Sequence, residues 1–318
     1  MKIETENQID ITDNVVTSIL KFYGIFDFSF KPINQGIENT SLFVKSGDKK
    51  YALRIYRQKR KINEDISFEV QFQDYLRENG IPIPLIYPNL KGEELSVINI
   101  DGKDWQIILM QFIEGESVNL NPNKELIIEL AHTQAKMHLL GVEFSNNSDK
   151  QKFSVDNLNG FIANKIKNLP MQNEGVVKFM ERVKSFKYEF NKDLPYGYNH
   201  LDLDFDGNVI IKDSKVVGII DFDDLKYSPS VMCLGFSLWN ILDDSGVEDF
   251  KLYLKEYESV RPLNNLEREA LSHIIFFRNY QIGIIRLLLW EKDTPIEDIT
   301  KIIQLENDIP LILKEVTI

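Results

Sequence analysis

The run His200-Leu-Asp202-Leu-Asp204-Phe-Asp206-Gly207-Asn208-Val-Ile-Ile is followed closely by Val216-Val-Gly-Ile-Ile-Asp221-Phe222-Asp223. One loop thus carries an acid and an amide a few residues apart, and a short hairpin returns the chain to a second acid. Magnesium-dependent phosphoryl transfer calls for that order of groups: one carboxylate beside the attacking hydroxyl, then an amide and a carboxylate on the metal. The spacing points to the chemistry of an ATP-using kinase.

The elements that must position these groups divide the chain in two. Thr12-Asp13 starts a helix with Val15, Val16, Ile19 and Leu20 on one face. Strands are expected at Phe28–Ile33, Thr40–Lys45 and Tyr51–Tyr56, the last two joined through Ser46-Gly47-Asp48 as a hairpin. A helix follows over Asn63–Asn79, stopped by Gly80 and kept from resuming by Pro82 and Pro84. Strands Leu95–Ile100 and Trp105–Ile113 flank the turn Asp101-Gly102. Beyond Glu114-Gly115-Glu116 the pattern becomes helical: Lys124–Leu140 ending at Gly141, Glu174–Lys192, Met232–Leu242, Asp249–Glu256, Leu266–Trp290 and Ile296–Asn307. The expected fold class is α+β: residues 1–113 form a lobe with a five-stranded antiparallel sheet and one inserted helix, and residues 114–318 form a mainly helical lobe.

Bulk properties narrow the possibilities. The chain has 318 residues and a formal net charge of −12. Such a charge repels nucleic-acid phosphates and would draw in a cationic substrate. The single cysteine, Cys233, excludes an internal disulfide and metal patterns built on several cysteines. It lies in the apolar run Val231-Met-Cys-Leu234 and reads as a small buried hydrophobe. The N-terminal residues have no apolar signal core, and no window approaches a membrane span. A cytoplasmic protein is the expectation, with no nucleic-acid or membrane partner.

With these residues in view, the chain resembles the aminoglycoside phosphotransferase and choline kinase superfamily, small-molecule kinases distantly related to protein kinases. The resemblance runs from about Ile33 to Trp290. It is densest at His200-Leu201-Asp202-Leu203 and Gly218-Ile219-Ile220-Asp221-Phe222-Asp223-Asp224. It implies a bilobal protein-kinase-like fold using ATP and Mg2+. Asp202 would orient the acceptor hydroxyl and take its proton, and Asp221 would bind the metal. The family asparagine stands five residues after the catalytic acid, where this chain has Gly207; either Asn208 is the second metal ligand through a one-residue bulge, or Asp206 supplies the oxygen. His200 would brace the loop. The family often carries an acid as a further brace where this chain has Cys233; a thiol does not replace that carboxylate, so a different or looser brace is expected.

In the first half, the resemblance assigns Arg54 to the phosphates, paired with a glutamate on the next helix: Glu69, with Glu64 and Glu78 as alternatives. Gln35-Gly36-Ile37-Glu38-Asn39 resembles the short phosphate-covering loop, making Gly36 and Asn39 candidates. Around Met110 and Phe112 backbone groups would read the adenine edge. His138 fits a family packing motif, and metal binding with His132 has the wrong helical spacing. Only Asp224–Ser230 separates Asp223 from the next apolar run, too little to display a peptide, so the expected partner is a small-molecule alcohol. Asp204, Asp206 and Asp224, with Asp243, Asp244 and Glu291, could receive an amine. The family's acceptors include aminoglycosides, choline, ethanolamine, homoserine and methylthioribose. The alternative is a catalytically weak pseudokinase that binds nucleotide, suggested by the displaced Asn208 and by Cys233.

Overall fold

The computed structural model describes residues 9–33, 39–58, 61–118, 122–144, 174–186, 191–290 and 296–316. The chain forms two compact units, residues 1–118 with 206–223, and residues 119–205 with 224–318. The hairpin that carries Asn208 and Asp221 therefore groups with the first unit, although it lies within 114–318 in sequence. Strand pairing is the reason: β7 (Glu116–Val118) joins β9 (Asp206–Lys212), which pairs with β10 (Lys215–Ile219).

In the first unit, α1 (Asp13–Lys21) is capped by Thr12, whose Oγ1 accepts from the Val15 N–H at 3.3 Å. Its buried Val16, Ile19 and Leu20 lie in one core with Leu42, Val44, Leu53, Ile55 and Trp105 of the sheet. That sheet holds β1 (Ser29–Pro32), β2 (Thr40–Ser46), β3 (Lys49–Ile55), β6 (Lys103–Gln111) and β4 (Ile86–Tyr87) in the order β1-β2-β3-β6-β4, with β5 (Ser96–Ile100) also on β6. Every pairing is antiparallel. The two-residue β4 is added to the five expected strands; Pro82 and Pro84 leave only a short extended stretch free to pair.

Alternation along β3 decides where its polar residue goes. Tyr51, Leu53 and Ile55 face the core shared with α1, which sends Arg54 to the opposite face. On that side Tyr56 and Ile108 pack with Ile66 and Val70 of α2 (Asn63–Glu78). Glu69 lies on the same helix, fully buried. The 3.6-residue repeat of α2 and the two-residue repeat of β3 thus bring a cation and an acid to one small region.

The second unit is mainly helical: α3 (Lys124–Glu143), α4 (Glu174–Ser185), α5 (Ser230–Asp244), α6 (Val247–Val260), α7 (Asn265–Trp290) and α8 (Ile296–Glu315), with β8 (Tyr196–Asn199) paired to β11 (Lys226–Pro229). Four helices outrun the expected ends: α5 spans Ser230–Asp244 where Met232–Leu242 was expected, α6 spans Val247–Val260 where Asp249–Glu256 was expected, and α8 and α3 also run on. α8 continues through Pro310, where a stop was expected at Asn307. α3 passes Gly141 and ends two residues later. Gly141 is not a cap: a Cβ there would sit 2.2 Å from the Tyr198 carbonyl oxygen, so glycine allows β8 to approach the helix backbone. The expected helix over Glu174–Lys192 is described to Ser185, and residues 187–190 lie outside the described residues. Among the described residues no helix is long and apolar enough to cross a membrane.

Candidate active site

The first unit assembles a cluster of charged side chains from four segments. Arg54 Nη2 donates to Asp221 Oδ1 at 2.9 Å and lies 2.8 Å from Asp223 Oδ2. Lys61 Nζ donates to Glu69 Oε2 at 2.6 Å and to Asp223 Oδ1 at 3.2 Å. The other Glu69 oxygen accepts from the Tyr56 hydroxyl at 3.1 Å. Asn39 Nδ2 donates to Asp223 Oδ2 at 2.6 Å, while its Oδ1 accepts from the Arg57 N–H at 2.9 Å. Burial works against the charge on Arg54, but Asp221 and Asp223, then Tyr56 and Glu69, more than offset it and hold the guanidinium well above its ordinary pKa. Burial, then Glu69 beside it, pushes the Tyr56 hydroxyl far up, so it stays a donor.

This corrects the expected cation–acid pair. Glu69 is the buried helix acid, but Lys61 neutralises it, and Arg54 turns to the two acids of Asp221-Phe222-Asp223. The physical reason is reach: Lys61 stands just before α2, about two turns ahead of Glu69, and its long side chain spans that distance, whereas Arg54 is drawn by two carboxylates at once. Asn39 lies at the start of β2 and acts as a strut between Arg57 and Asp223. Gly36, with residues 34–38, lies outside the described residues.

Of the two candidate metal ligands, Asn208 lies in β9 and Asp221 follows the end of β10, the strand paired with it. The Asn208 carbonyl accepts from the Ile220 N–H at 3.0 Å, one residue before Asp221. Gly207 adopts φ +137°, a conformation open to glycine. Asp221 itself takes φ +62°, a costly conformation for a non-glycine residue. Its side chain is 41% exposed, while that of Asp223 is 8% exposed and surrounded by donors, so Asp221 is the accessible acid of the motif. Asp206 opens β9, and its side chain lies outside the described residues. An exposed carboxylate and an amide are hard oxygen donors of the kind Mg2+ takes alongside nucleotide phosphates. Among the described residues no group of three or more His, Cys, Asp or Glu side chains forms a dedicated metal cage.

Near the end of β6, Met110 packs against the Tyr56–Ile108 cluster and Phe112 makes an edge contact with Phe43 at 4.8 Å. The Gln111 N–H donates to Leu85 and the Phe112 N–H to Lys50, so these two backbone donors are already engaged.

In the second unit the loop around Asp202 is held from several sides. His200 is buried, and its Nδ1 accepts from the Asp202 N–H at 3.3 Å. Ser237 Oγ donates to the Leu203 carbonyl at 2.9 Å, and Asn240 Nδ2 to Asp204 Oδ2 at 3.2 Å. Cys233 stands beside them on α5. Burial pushes its thiol up to about 11, and backbone Leu201 and Gln134 hydrogen-bond to it. Gln134 also donates to Ser237 and accepts from Tyr253 at 2.9 Å. The brace absent from position 233 is therefore spread over neutral donors on α3, α5 and α6. Arg278 of α7 completes it: Nη2 reaches Asp202 Oδ1 at 3.4 Å, Nη1 donates to Gln281 at 2.9 Å, and the guanidinium lies 4.8 Å from the Phe236 ring centroid.

The acids offered for an amine do not converge as a set. Asp204 and Asp244 line one crevice with Leu203, Phe205, Ser237 and Asn240. Asp243 is buried and held by Arg286 at 2.6 Å and Lys301 at 2.9 Å, which removes it from that role. Asp224 is exposed and is not among the crevice residues, and Glu291 lies outside the described residues. Of the histidines, His138 is buried against the Tyr257 hydroxyl at 2.7 Å, and His132 pairs with Glu256 at 3.1 Å, so they share no site.

Sequence reasoning missed Lys61, Arg278 and the supporting role of Asp223. Asp223 was visible in the Asp-Phe-Asp motif. Lys61 closes a cation-rich run, Arg57-Gln-Lys-Arg-Lys61, in an acidic chain. Arg278 has no local signal at all.

The chain belongs to the APH phosphotransferase enzyme family, whose profile matches residues 29–270. It is 26% identical over 269 residues to the homoserine kinase of Parvibaculum lavamentivorans, covering 82% of this chain and 81% of that protein. It is 28% identical over 290 residues to the homoserine kinase of Agrobacterium fabrum, covering 88% and 87%. Among solved structures, an amicoumacin kinase in complex with AMP-PNP, Ca2+ and its ligand shares the fold, with a TM-score of 0.71, 17% identity, and 97% and 96% of the two chains covered. The protein is a small-molecule phosphotransferase acting on an alcohol group.

Proposed function

We propose that the protein transfers the γ-phosphate of ATP to the hydroxyl of homoserine or a close amino-alcohol analogue. The observation that carries this reading is the Arg54–Asp221–Asp223 cluster, a cation and an accessible acid supported by a buried one, in a chain whose other motif presents Asp202. Asn208 and Asp221 would hold Mg2+, which when bound neutralises charge on the nucleotide phosphates. Asp202 orients the acceptor hydroxyl and receives its proton at a carboxylate oxygen as the phosphoryl group departs from ADP. In a loose transition state that positioning counts for more than base strength. Arg278 holds the Asp202 carboxylate, and His200 and Ser237 fix the backbone on either side of it. Asp204 and Asp244, lining one crevice, suit the ammonium of an amino alcohol.

An ADP-release assay tests this, using Mg-ATP with homoserine, ethanolamine, aminopropanol, choline and aminoglycosides. Turnover is expected to be highest with homoserine. Asp202→Ala should lose about 10^2- to 10^4-fold in kcat, the usual contribution of a positioned base. Turnover with none of these alcohols, or an Asp202→Ala protein as active as the wild type, would overturn the reading.

A further inference from the structure

The charged cluster of the first unit has a property that a simple strand-cation and helix-acid pair lacks. Glu69 is 1% exposed, and a buried carboxylate must keep a cationic or hydrogen-bonding partner or become a large penalty. Were Arg54 that partner, any anion that drew Arg54 away would leave Glu69 with the uncharged Tyr56 hydroxyl and no cation. Here Lys61, 10% exposed, covers Glu69 at 2.6 Å and also reaches Asp223. Asp223 in turn keeps Lys61 and Asn39 if Arg54 departs. Among the described residues, Arg54 is thus the cation of the set whose movement leaves no buried acid without a partner: its other partner, Asp221, is 41% exposed to solvent.

From this we propose that Lys61 is a positioning residue for the nucleotide phosphates. It takes over Glu69 and Asp223 so that the guanidinium of Arg54 can exchange Asp221 for phosphate oxygens. An arginine suits that exchange, because its five donors form a planar fork that meets carboxylate and phosphate in the same geometry. Lys61 need not touch the nucleotide. It acts by keeping the acids around Arg54 compensated while Arg54 changes partners. The inference rests on the nucleotide-site reading above and adds a residue to it.

The test is binding, independent of turnover. Calorimetry measures the affinities of adenosine, ADP and ATP, with magnesium, for wild type, Lys61→Met, Lys61→Arg and the double variant Lys61→Met/Glu69→Gln. The informative quantity is the gain in affinity from adenosine to ADP. Lys61→Met is expected to lower that gain about tenfold or more, since Glu69 then competes for Arg54, while adenosine affinity changes less than about twofold. Lys61→Arg should restore most of it. The double variant, in which residue 69 carries no charge to compete for Arg54 and Asp223 keeps Asn39, should return the gain to within about threefold of wild type.

An unchanged gain in Lys61→Met overturns the proposal, as does an equal loss for adenosine and ADP. If Lys61→Met fails to fold, the double variant decides: a lost phosphate gain there means that Lys61 does not act through Glu69. A wild type that binds ADP no better than adenosine overturns both this inference and the nucleotide reading. Normal binding without phosphoryl transfer to any alcohol overturns the proposed function and leaves Lys61 standing.

Discussion

Replacing Arg278 separates positioning from folding in the Asp202 loop. Its Nη2 lies 3.4 Å from Asp202 Oδ1, where two unit charges at an effective dielectric of 20 attract by about 5 kcal/mol before solvent is considered. The Asp202 carboxylate is 39% exposed, so most of that attraction is screened and the pair itself stabilises the fold by about 1 kcal/mol at most. Loss of the guanidinium from the face of Phe236 adds roughly 0.5–1 kcal/mol. Arg278→Met should therefore cost only about 1–2 kcal/mol in urea unfolding. Catalysis should suffer more. Asp202 loses the group that fixes one of its oxygens, and a small displacement of a catalytic group costs about 10- to 100-fold. The expected result in steady-state kinetics is a kcat lower by that factor, with KM for ATP within about twofold. Arg278→Lys should recover part of the rate, because it returns the charge without the planar fork. On an Asp202→Asn background Arg278→Met should have little further effect on kcat. A kcat for Arg278→Met within about twofold of wild type, in a folded protein, would refute the reasoning.

Two further outcomes test the packing. Burial, then Asp74 beside it, raises Glu94 from about 4.5 to about 7, with Arg77 partly opposing. The folded protein thus binds a proton there more tightly than the unfolded chain, and stability should fall as pH rises from about 4.5 through about 7. Glu94→Gln should flatten that fall in thermal-shift measurements, and an unchanged pH slope would show that the pair is not formed. Gly141→Ala places a methyl 2.2 Å from the Tyr198 carbonyl oxygen, a backbone atom that cannot swing aside. It should cost about 1–3 kcal/mol or more in urea unfolding, and a neutral result would mean that β8 does not press on α3 there.

The candidate catalytic and metal-binding residues could be named from the sequence because their spacing is local. The loop from His200 to Asn208 and the return to Asp221 are set within a few residues by an apolar strand, a tight turn and a glycine able to take positive φ. Arg54 and Glu69 were singled out by the family resemblance, and the period-two pattern of β3 and the helical repeat of α2 account for the side each takes in the structure. What the pattern could not say was who pairs with whom. Arg54 meets Asp221 from 167 positions away, and Lys61 meets Asp223 from 162. The glycine in α3 was misread as a stop because its neighbour, β8, is distant in sequence.

By itself, then, the amino-acid order determined the class of fold, the sets of acids and amides, and the elements that carry them. Tertiary structure alone decided that Lys61 rather than Arg54 neutralises Glu69, that Asp223 is shielded while Asp221 is accessible, and that neutral donors and Arg278 surround the Asp202 loop beside Cys233. The physical reason is that propensity and periodicity act between near neighbours. The state of a buried charge depends instead on every group the fold brings within a few ångströms, whatever its position in the chain.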